Sequence, residues 1–488
     1  MYGKWGSYAS FDPGGGNVND KDTPPNDSAP DKSKAKPKKE KEIEEQTKVK
    51  GWLGSLFVES VIWDFKPMFL CYDKTSKRIT LKDSVEYGRI IYVPLDLENI
   101  GYDPYFFRSA ELDEILASNL TKEDLLSEIA ELVDTYLDAI DEIKTLVIGD
   151  LFLSYCQEWI RTIHFIFAVG ETESGKSTLV YLFKLLAYRC LYGTNIPAAD
   201  VYNFLGTSEE GTGTIAEDEA QDISFDRRKI RLYKNSYAKG ARQPIIDMKN
   251  GRKQIFYWTF CLKIFAGEKL PYDKGMIERL AICFMKQGKP KGNAKRLSAE
   301  EHKVFSKLRN KMLIWKLRNI ETGLGTMHSG LEARDQELFE DYLRVMSGTK
   351  YEEAARKTVE YFVKQRHERI WNSTEAKILR LVLKMKDQNN EVYYLDLWSK
   401  IFEGSEISVG VHKAGFEDLE SGERISANSL AKMLEEKFQG KKGVRKKFFE
   451  IMGVKKQQRM TYYTFDEKTL ELLSKKYNIV QDSDQDQN

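Results

Sequence analysis

Hydrophobic and polar positions change rhythm several times along the chain, and each change predicts a different element. Residues 1 to about 50 carry no hydrophobic period. GGG, TPPNDSAP and KSKAKPKKEKEIEEQ predict a disordered tail, a solvated linker whose basic half could touch nucleic acid. From Trp52 apolar residues gather in extended runs. LFVESVIWDFKPMFLCYD, RITLKDSV and RIIYVPL predict three strands with turns at Asp73 to Ser76 and near Tyr87-Gly88, a small β-rich module over residues 51–110. LTKEDLLSEIAELVDTYLDAIDE, starting near Thr121, changes to helical spacing behind a Thr-x-x-Asp start that resembles a capping box. With a second helix through Ile148 to Ile160, residues 111–150 read as a helical approach to a core over 151–290.

Within that core the pattern predicts a buried strand over His164 to Val169 and a helix over Ser177 to Tyr192 stopped by Gly193. IPAADVYNFLG predicts a short helix ending at Gly206, and Thr212 to Ala216 a short strand. Asn250-Gly251 is a hairpin signal between IID and a long apolar strand, QIFYWTFCLKIF. Leu280 to Met285 gives one more short strand. After the polar linker KPKGNAKRLS, helical spacing resumes and continues to about Trp371, a helical lid over residues 291–371. An Asn372-x-x-Glu375 capping pattern opens a helix carrying Ile378, Leu379, Leu381, Val382 and Leu383. YYLDLWSKIF and SANSLAKMLEEKF give two more short helices, followed by GVRKKFFEIMGVKKQQRMTYYTF.

Chemistry enters at AVGETESGKSTLV, residues 168–180. Gly170, Glu171, Thr172, Glu173, Ser174, Gly175, Lys176, Ser177 and Thr178 contain the G-x-x-x-x-G-K-[ST] spacing of a P-loop, between a strand and a helix. Glycines let backbone N–H groups turn toward phosphate oxygens, and the helix adds its positive end. Lys176 would reach the β- and γ-phosphates of ATP, and the Ser177 hydroxyl would take one position on Mg²⁺. About 40 residues on, GTGTIAEDEAQD delivers Asp218 and Glu219 from the strand, a pair of the kind that follows a Walker B strand. Asp218 would hold the Mg²⁺ shell and Glu219 would orient the attacking water.

Composition adjusts this picture in four places. The 488 residues suffice for roughly three domains. No apolar run approaches the ~20 residues of a membrane span, and MYGKWGSYASFDPGGG lacks the pattern of a signal peptide, so the expected compartment is cytoplasmic. Cys71, Cys156, Cys190, Cys261 and Cys283 lie scattered without a C-x-x-C pair, which suggests core residues rather than a zinc ribbon or a disulfide framework. Net charge is +1, so any basic surface must be local. Two places qualify: the hairpin tip with Lys249, Arg252 and Lys253, and the C-terminal run with Lys446, Lys447, Lys455, Lys456 and Arg459.

The order P-loop, acidic Walker B, basic hairpin, long strand and lone Arg279 before the last strand resembles the AAA+ class of ring ATPases. Within it, the likeness is to the superfamily three and primase-associated helicases of plasmids and viruses, over about residues 150–345. Three helices followed by a basic segment with RMTYYTF as a wing strand resemble a winged helix over residues 372–480, before a disordered tail at 481–488. The implied fold is an α/β P-loop NTPase, AAA+-like, with a β-rich N-terminal module, a helical lid and a winged-helix-like C-terminal domain. The resemblance implies that the hairpin grips single-stranded DNA in the channel of a homo-oligomeric ring, with a hexamer as the candidate size. It implies that Arg279 acts on the neighbouring subunit's ATP, that Arg334 is a sensor of the lid, and that the C-terminal domain recruits duplex DNA. The related helicases carry an asparagine at the end of the fourth strand, where FAGEKL leaves Glu268 or Lys269 to fill the polar role. Phe448, Phe449, Tyr462 and Tyr463 could serve a nucleic-acid surface or pack a core.

Three functions compete at this point. A replicative ATP-dependent DNA helicase leads; an ATP-switched initiator or loader without processive unwinding is the alternative, and a P-loop kinase of a small metabolite is the third.

Overall fold

Phe165–Val169 is buried at every position, which requires cover on both faces of its sheet, the signature of a central parallel strand. The computed structural model describes residues 44–96, 101–206, 213–247, 251–404, 407, 409–412, 415–419, 423–451 and 454–479. In it Phe165–Val169 is the fourth strand of a five-stranded sheet ordered Cys190–Thr194, Thr214–Asp218, Leu262–Gly267, Phe165–Val169, Leu280–Phe284, with every neighbouring pair parallel. The chain leaves Phe165–Val169 for the far edge at Cys190, works back to Leu262–Gly267 on one side, then crosses to Leu280–Phe284 on the other. Strand order therefore reverses at Phe165–Val169, and ligands of open α/β sheets bind beyond the carboxyl ends of the strands at such a reversal.

Several expected elements end earlier or break. The helix after the P-loop covers Lys176–Leu186 only. Cys190 to Tyr192, expected as its last turn, instead open the edge strand Cys190–Thr194, paired with Thr214–Asp218. Leu191 and Tyr192 satisfy either period, and sheet pairing settles the choice. The expected long strand QIFYWTFCLKIF is two strands with separate partners. Lys253–Trp258 pairs with Arg242–Asp247 in a two-stranded ribbon, and Leu262–Gly267 enters the parallel sheet. Similarly, LFVESVIWDFKPMFLCYD folds back on itself as Leu56–Trp63 and Lys66–Asp73, turning at Asp64 and Phe65 with positive φ. The Asp73 turn matches expectation, with the Asp73 carboxylate accepting from the Thr75 amide at 3.0 Å and the Ser76 hydroxyl at 2.8 Å.

The tail expected to reach residue 50 stops short: residues 1–43 and the expected tail at 481–488 lie outside the described residues, while Glu44–Thr47 and Lys50–Leu53 are strands. Lys50 is buried and bonds Glu158 at 2.5 Å. Thr121 caps Lys122–Tyr136 through the Asp124 amide, and the next helix is Asp141–Leu153, about seven residues earlier than its expected span. Ser109–Ala117, a short helix, carries no strong signal in the sequence.

One hydrophobic core runs from Phe57 to Phe362 and takes in the β-rich module, the approach helices, the parallel sheet and the helices Ala299–Arg318, Ala333–Met346 and Glu352–Trp371. A capping box between Ser298 and Glu301 starts the first of these helices. A second core spans Ala376 to Tyr477. There Ser373, one residue later than expected, caps Thr374–Met385. Tyr394–Phe402 and Ala427–Lys432 are helical, and an antiparallel sheet of Val409–His412, Gly415–Asp418 and Arg424–Ser426 stands between them. Lys441–Ile451 and Val454–Thr464 form a long hairpin to which Glu391–Tyr393 adds a third strand. All five cysteines are buried and free. Among the described residues no helix is long and apolar enough to cross a membrane.

Candidate nucleotide site and nucleic-acid surfaces

The P-loop leaves the carboxyl end of Phe165–Val169 and enters the helix at Lys176. Two glycines are obligatory here. A Cβ on Gly170 would stand 2.4 Å from the Met285 carbonyl oxygen and 2.8 Å from Ser174 Oγ, and Gly175 has φ +87°. Lys176 Nζ donates to the Gly170 and Glu171 carbonyls at 2.7 and 2.5 Å, folded back over the loop. Ser174 Oγ is buried with no hydrogen-bond partner, an orphan of the kind a ligand oxygen would satisfy. Ser177 Oγ donates to Asp218 Oδ1 at 3.1 Å, so the hydroxyl and carboxylate assigned to one Mg²⁺ shell are in contact. That donor set, one hydroxyl and one hard carboxylate beside a loop of amides, fits a magnesium nucleotide.

Asp218 ends the strand and accepts from the Glu219 amide at 3.1 Å, while Glu219 is exposed with φ +56°. A left-handed glutamate is strained by roughly 1–2 kcal/mol. Glu217 does different work. Buried beneath the sheet end, it pairs with Lys229 and accepts from Tyr233 OH at 3.1 Å; burial pushes its carboxyl up against the pull of Lys229. Glu268 follows the strand between Phe165–Val169 and Thr214–Asp218, and its Oε1 lies 3.4 Å from Thr172 Oγ1 of the P-loop. Of the two residues expected at that position, Glu268 is the one that touches the loop.

A cleft of 630 Å³ opens over Lys176, Ser177 and Thr178. Its other wall is Tyr136, Leu137 and Asp138 with the 288–295 segment. That segment read as a polar linker in the sequence, yet it is pinned. Asp138 accepts from the Lys289 amide at 2.7 Å, and the Gly292 amide donates to the Thr135 carbonyl at 2.9 Å. Gly288 and Gly292, where a Cβ would strike Asp138 and Tyr136, were the available signal.

Arg279 stands at the other end of the sheet. Leu280 pairs with Phe165, and the Phe165 amide donates to the Arg279 carbonyl at 2.9 Å, so the length of a strand separates Arg279 from its own P-loop. Its guanidinium donates to the Gly275 carbonyl and lies 4.5 Å from the Tyr237 ring centroid. Arg334, expected as a lid sensor, is placed there too, 4.4 Å from the same ring and paired with Glu337. It does not approach its own P-loop, because the helix it opens packs beside the amino ends of the strands. Burial, then Arg334, holds the Arg279 pKa below its ordinary value.

In the ribbon, Arg252 and Lys253 are exposed at the turn; Lys249 lies outside the described residues. In the C-terminal hairpin Lys446 and Arg459 stand directly opposite, both exposed, an arrangement that like charges make unfavourable unless an anion answers it. The backbones of Lys447, Lys455 and Lys456 belong to the same hairpin. Tyr463 is a core residue, whereas Tyr462 lies under Arg445, whose guanidinium also grips Glu391 at 3.0 and 3.2 Å. The C-terminal region is tied to the parallel-sheet core by Glu375, which accepts from Lys274 at 2.5 Å and from Lys437 at 2.6 Å.

No protein-family model and no curated protein matches the chain. Among solved structures it is similar to the apo A form of the NrS-1 C-terminal region, at 13% identity over 84% of this chain and 96% of that one, with a TM-score of 0.30. It is also similar to JCV helicase with a bound thiazolopyridine compound, at 12% identity over 52% of this chain and 66% of that one, with a TM-score of 0.25. Superpositions this loose assign no residue of the chain a role.

Proposed function

We propose that the chain is an ATP-dependent DNA helicase or translocase that hydrolyses ATP between subunits of a homo-oligomeric ring, with a hexamer as the candidate size. The observation that carries it is the split of the chemistry. Lys176, Ser177, Asp218 and Glu219 lie at the carboxyl end of the parallel sheet, while Arg279 lies at its amino end, a strand's length from its own P-loop. When bound, Mg²⁺ and ATP supply the phosphoanhydride and the cation that spreads its charge. Lys176 and the loop amides hold the phosphates, Ser177 and Asp218 take positions on the metal, and Glu219 accepts a proton from and orients the attacking water. Arg279 from the adjacent subunit stabilises charge on the transferring group. The ribbon engages single-stranded DNA, and the winged-helix-like C-terminal region holds duplex through Lys446 and Arg459.

The test is ATPase rate against protein concentration, with and without single-stranded DNA, alongside strand displacement on a forked duplex. Activity that rises faster than concentration, is stimulated by DNA and accompanies displacement supports the proposal. Stimulation without displacement would leave an ATP-switched initiator, and an ATPase indifferent to DNA would overturn the nucleic-acid role.

A further inference from the structure

The ribbon of Arg242–Asp247 and Lys253–Trp258 belongs to no larger sheet, so one of its faces must be held by something else. Gln243, Ile245, Ile255 and Tyr257 alternate onto the half-buried face, and Tyr257 packs 5.9 Å from Tyr202 of the helix Ala198–Leu205. The opposite face carries Arg242, Pro244 and Ile246 from one strand and Gln254, Phe256 and Trp258 from the other. It is turned to solvent. Ile246 is 59% and Phe256 43% exposed, unusual for side chains this apolar on a projecting ribbon.

The arrangement on that face is specific. Arg242 stands opposite Trp258, and its guanidinium carbon lies 5.2 Å from the Trp258 ring and 5.3 Å from the Phe256 ring. Two flat rings and one flat cation thus form a continuous platform along one strand edge. Residues 242–258 hold four cations, Arg242, Lys249, Arg252 and Lys253, against one carboxylate, Asp247. Resting on the nucleic-acid reading above, we infer that this stem face, and not only the basic turn, binds single-stranded nucleic acid by stacking bases on Phe256 and Trp258 while Arg242 answers the backbone charge. Flat, anionic and sequence-tolerant ligands suit such a platform. A second copy of the chain suits it poorly, because a two-fold contact would bring the same cations against themselves.

Stacking and charge respond differently to salt, which makes the two parts of the ribbon separable. The full chain is titrated with a single-stranded dT oligomer over a salt series, and its oligomeric state is followed by sedimentation. Phe256→Ala should weaken binding about tenfold at every salt concentration with an unchanged salt slope, and Phe256→Tyr should restore it. Arg252→Ala with Lys253→Ala should instead flatten the slope by about 1.4, at ~0.7 per single-strand phosphate contact. Wild-type chain that binds dT while Phe256→Ala binds it equally well overturns the stem-face assignment alone. Wild-type chain that does not bind dT overturns the nucleic-acid reading together with it. A Phe256→Ala chain that changes oligomeric state and keeps its dT affinity makes the face a contact between copies, which also overturns the assignment.

Discussion

Changing Arg279 to Ala should leave ATP binding by one subunit within about twofold of wild type and still lower ATP turnover by roughly 10³-fold. Both numbers follow from where Arg279 sits. Its strand, Leu280–Phe284, has five residues and runs parallel to the P-loop strand, so at ~3.3 Å per residue about 17 Å separates Arg279 from its own phosphate loop. At an effective dielectric of ~20, a unit charge at that distance is worth about 1 kcal/mol, and a Debye length of ~8 Å removes most of it. Within one subunit the effect on the nucleotide is therefore a few tenths of a kcal/mol. Across a subunit interface the guanidinium can touch the transferring group, where such an arginine is worth three or more orders of magnitude. Nucleotide affinity by fluorescence and turnover by phosphate release would be measured on the same preparation. Mixing Arg279→Ala with Lys176→Ala chains should recover part of the lost activity, because a mixed interface can pair an intact P-loop with an intact arginine. Absence of any recovery in stably assembled mixtures, or an equal loss of turnover in dilute isolated subunits, would refute the reasoning.

Other outcomes follow from the same geometry. Glu219→Gln should bind ATP normally and lose turnover by about 10² or more, checked by phosphate release, since the amide keeps the shape and cannot take a proton. Gly170→Ala should weaken ATP binding at least tenfold in a titration, because the added carbon meets a backbone oxygen that no side-chain rotation relieves. Arg189→Met should lower stability by about 3–5 kcal/mol in urea denaturation and Arg189→Met with Glu59→Gln by clearly less, since Arg189 Nε lies 3.1 Å from a Glu59 with no exposed surface. Burial pushes the Glu375 carboxyl up, but Lys274 and Lys437 hold it at about 2. Its contribution is thus full above the ordinary carboxylate value of ~4.3 and is lost as pH falls through about 2. Glu375→Gln should cost about 1–3 kcal/mol at neutral pH, allowing for two half-exposed lysines, and the urea-midpoint gap to wild type should close toward pH 2.

The local parts of the site were legible in the chain because their chemistry is local. Gly170 to Ser177 encode loop, helix start and cation within eight residues, and Asp218-Glu219 stand at the end of a strand short enough to read directly. What depends on pairing could not be read. Cys190–Thr194 has a helix-compatible pattern and becomes a strand only because Thr214–Asp218 lies beside it. The stretch from Gln254 to Phe265 is apolar except at Gln254, Thr259 and Lys263, too few polar positions to mark the break at Thr259 to Cys261 that sends one half to a ribbon and the other to the sheet. Arg334 is expected as a sensor by analogy of position alone, and the ring it lies over, Tyr237, is almost a hundred residues away. The 288–295 wall of the cleft looked like a linker since its restraints, Asp138 and Thr135, come from a preceding helix end.

The buried charges of the β-rich module have a consequence for where the chain can be cut. Glu158 is shared by Lys50 and Lys316 at 2.5 and 2.8 Å, and Arg189 is enclosed by Glu59, Tyr102 and the Val49 carbonyl. A shortened chain beginning at residue 111 would keep the P-loop, the parallel sheet and the helices from Ala299 to Trp371, yet strand Arg189 in apolar surroundings with all of those partners gone. Texture along the sequence suggests a boundary there, but electrostatics forbids it. The smallest stable piece that holds the P-loop should begin before Lys48, so that the first strands travel with the parallel sheet as part of its foundation rather than as a detachable arm.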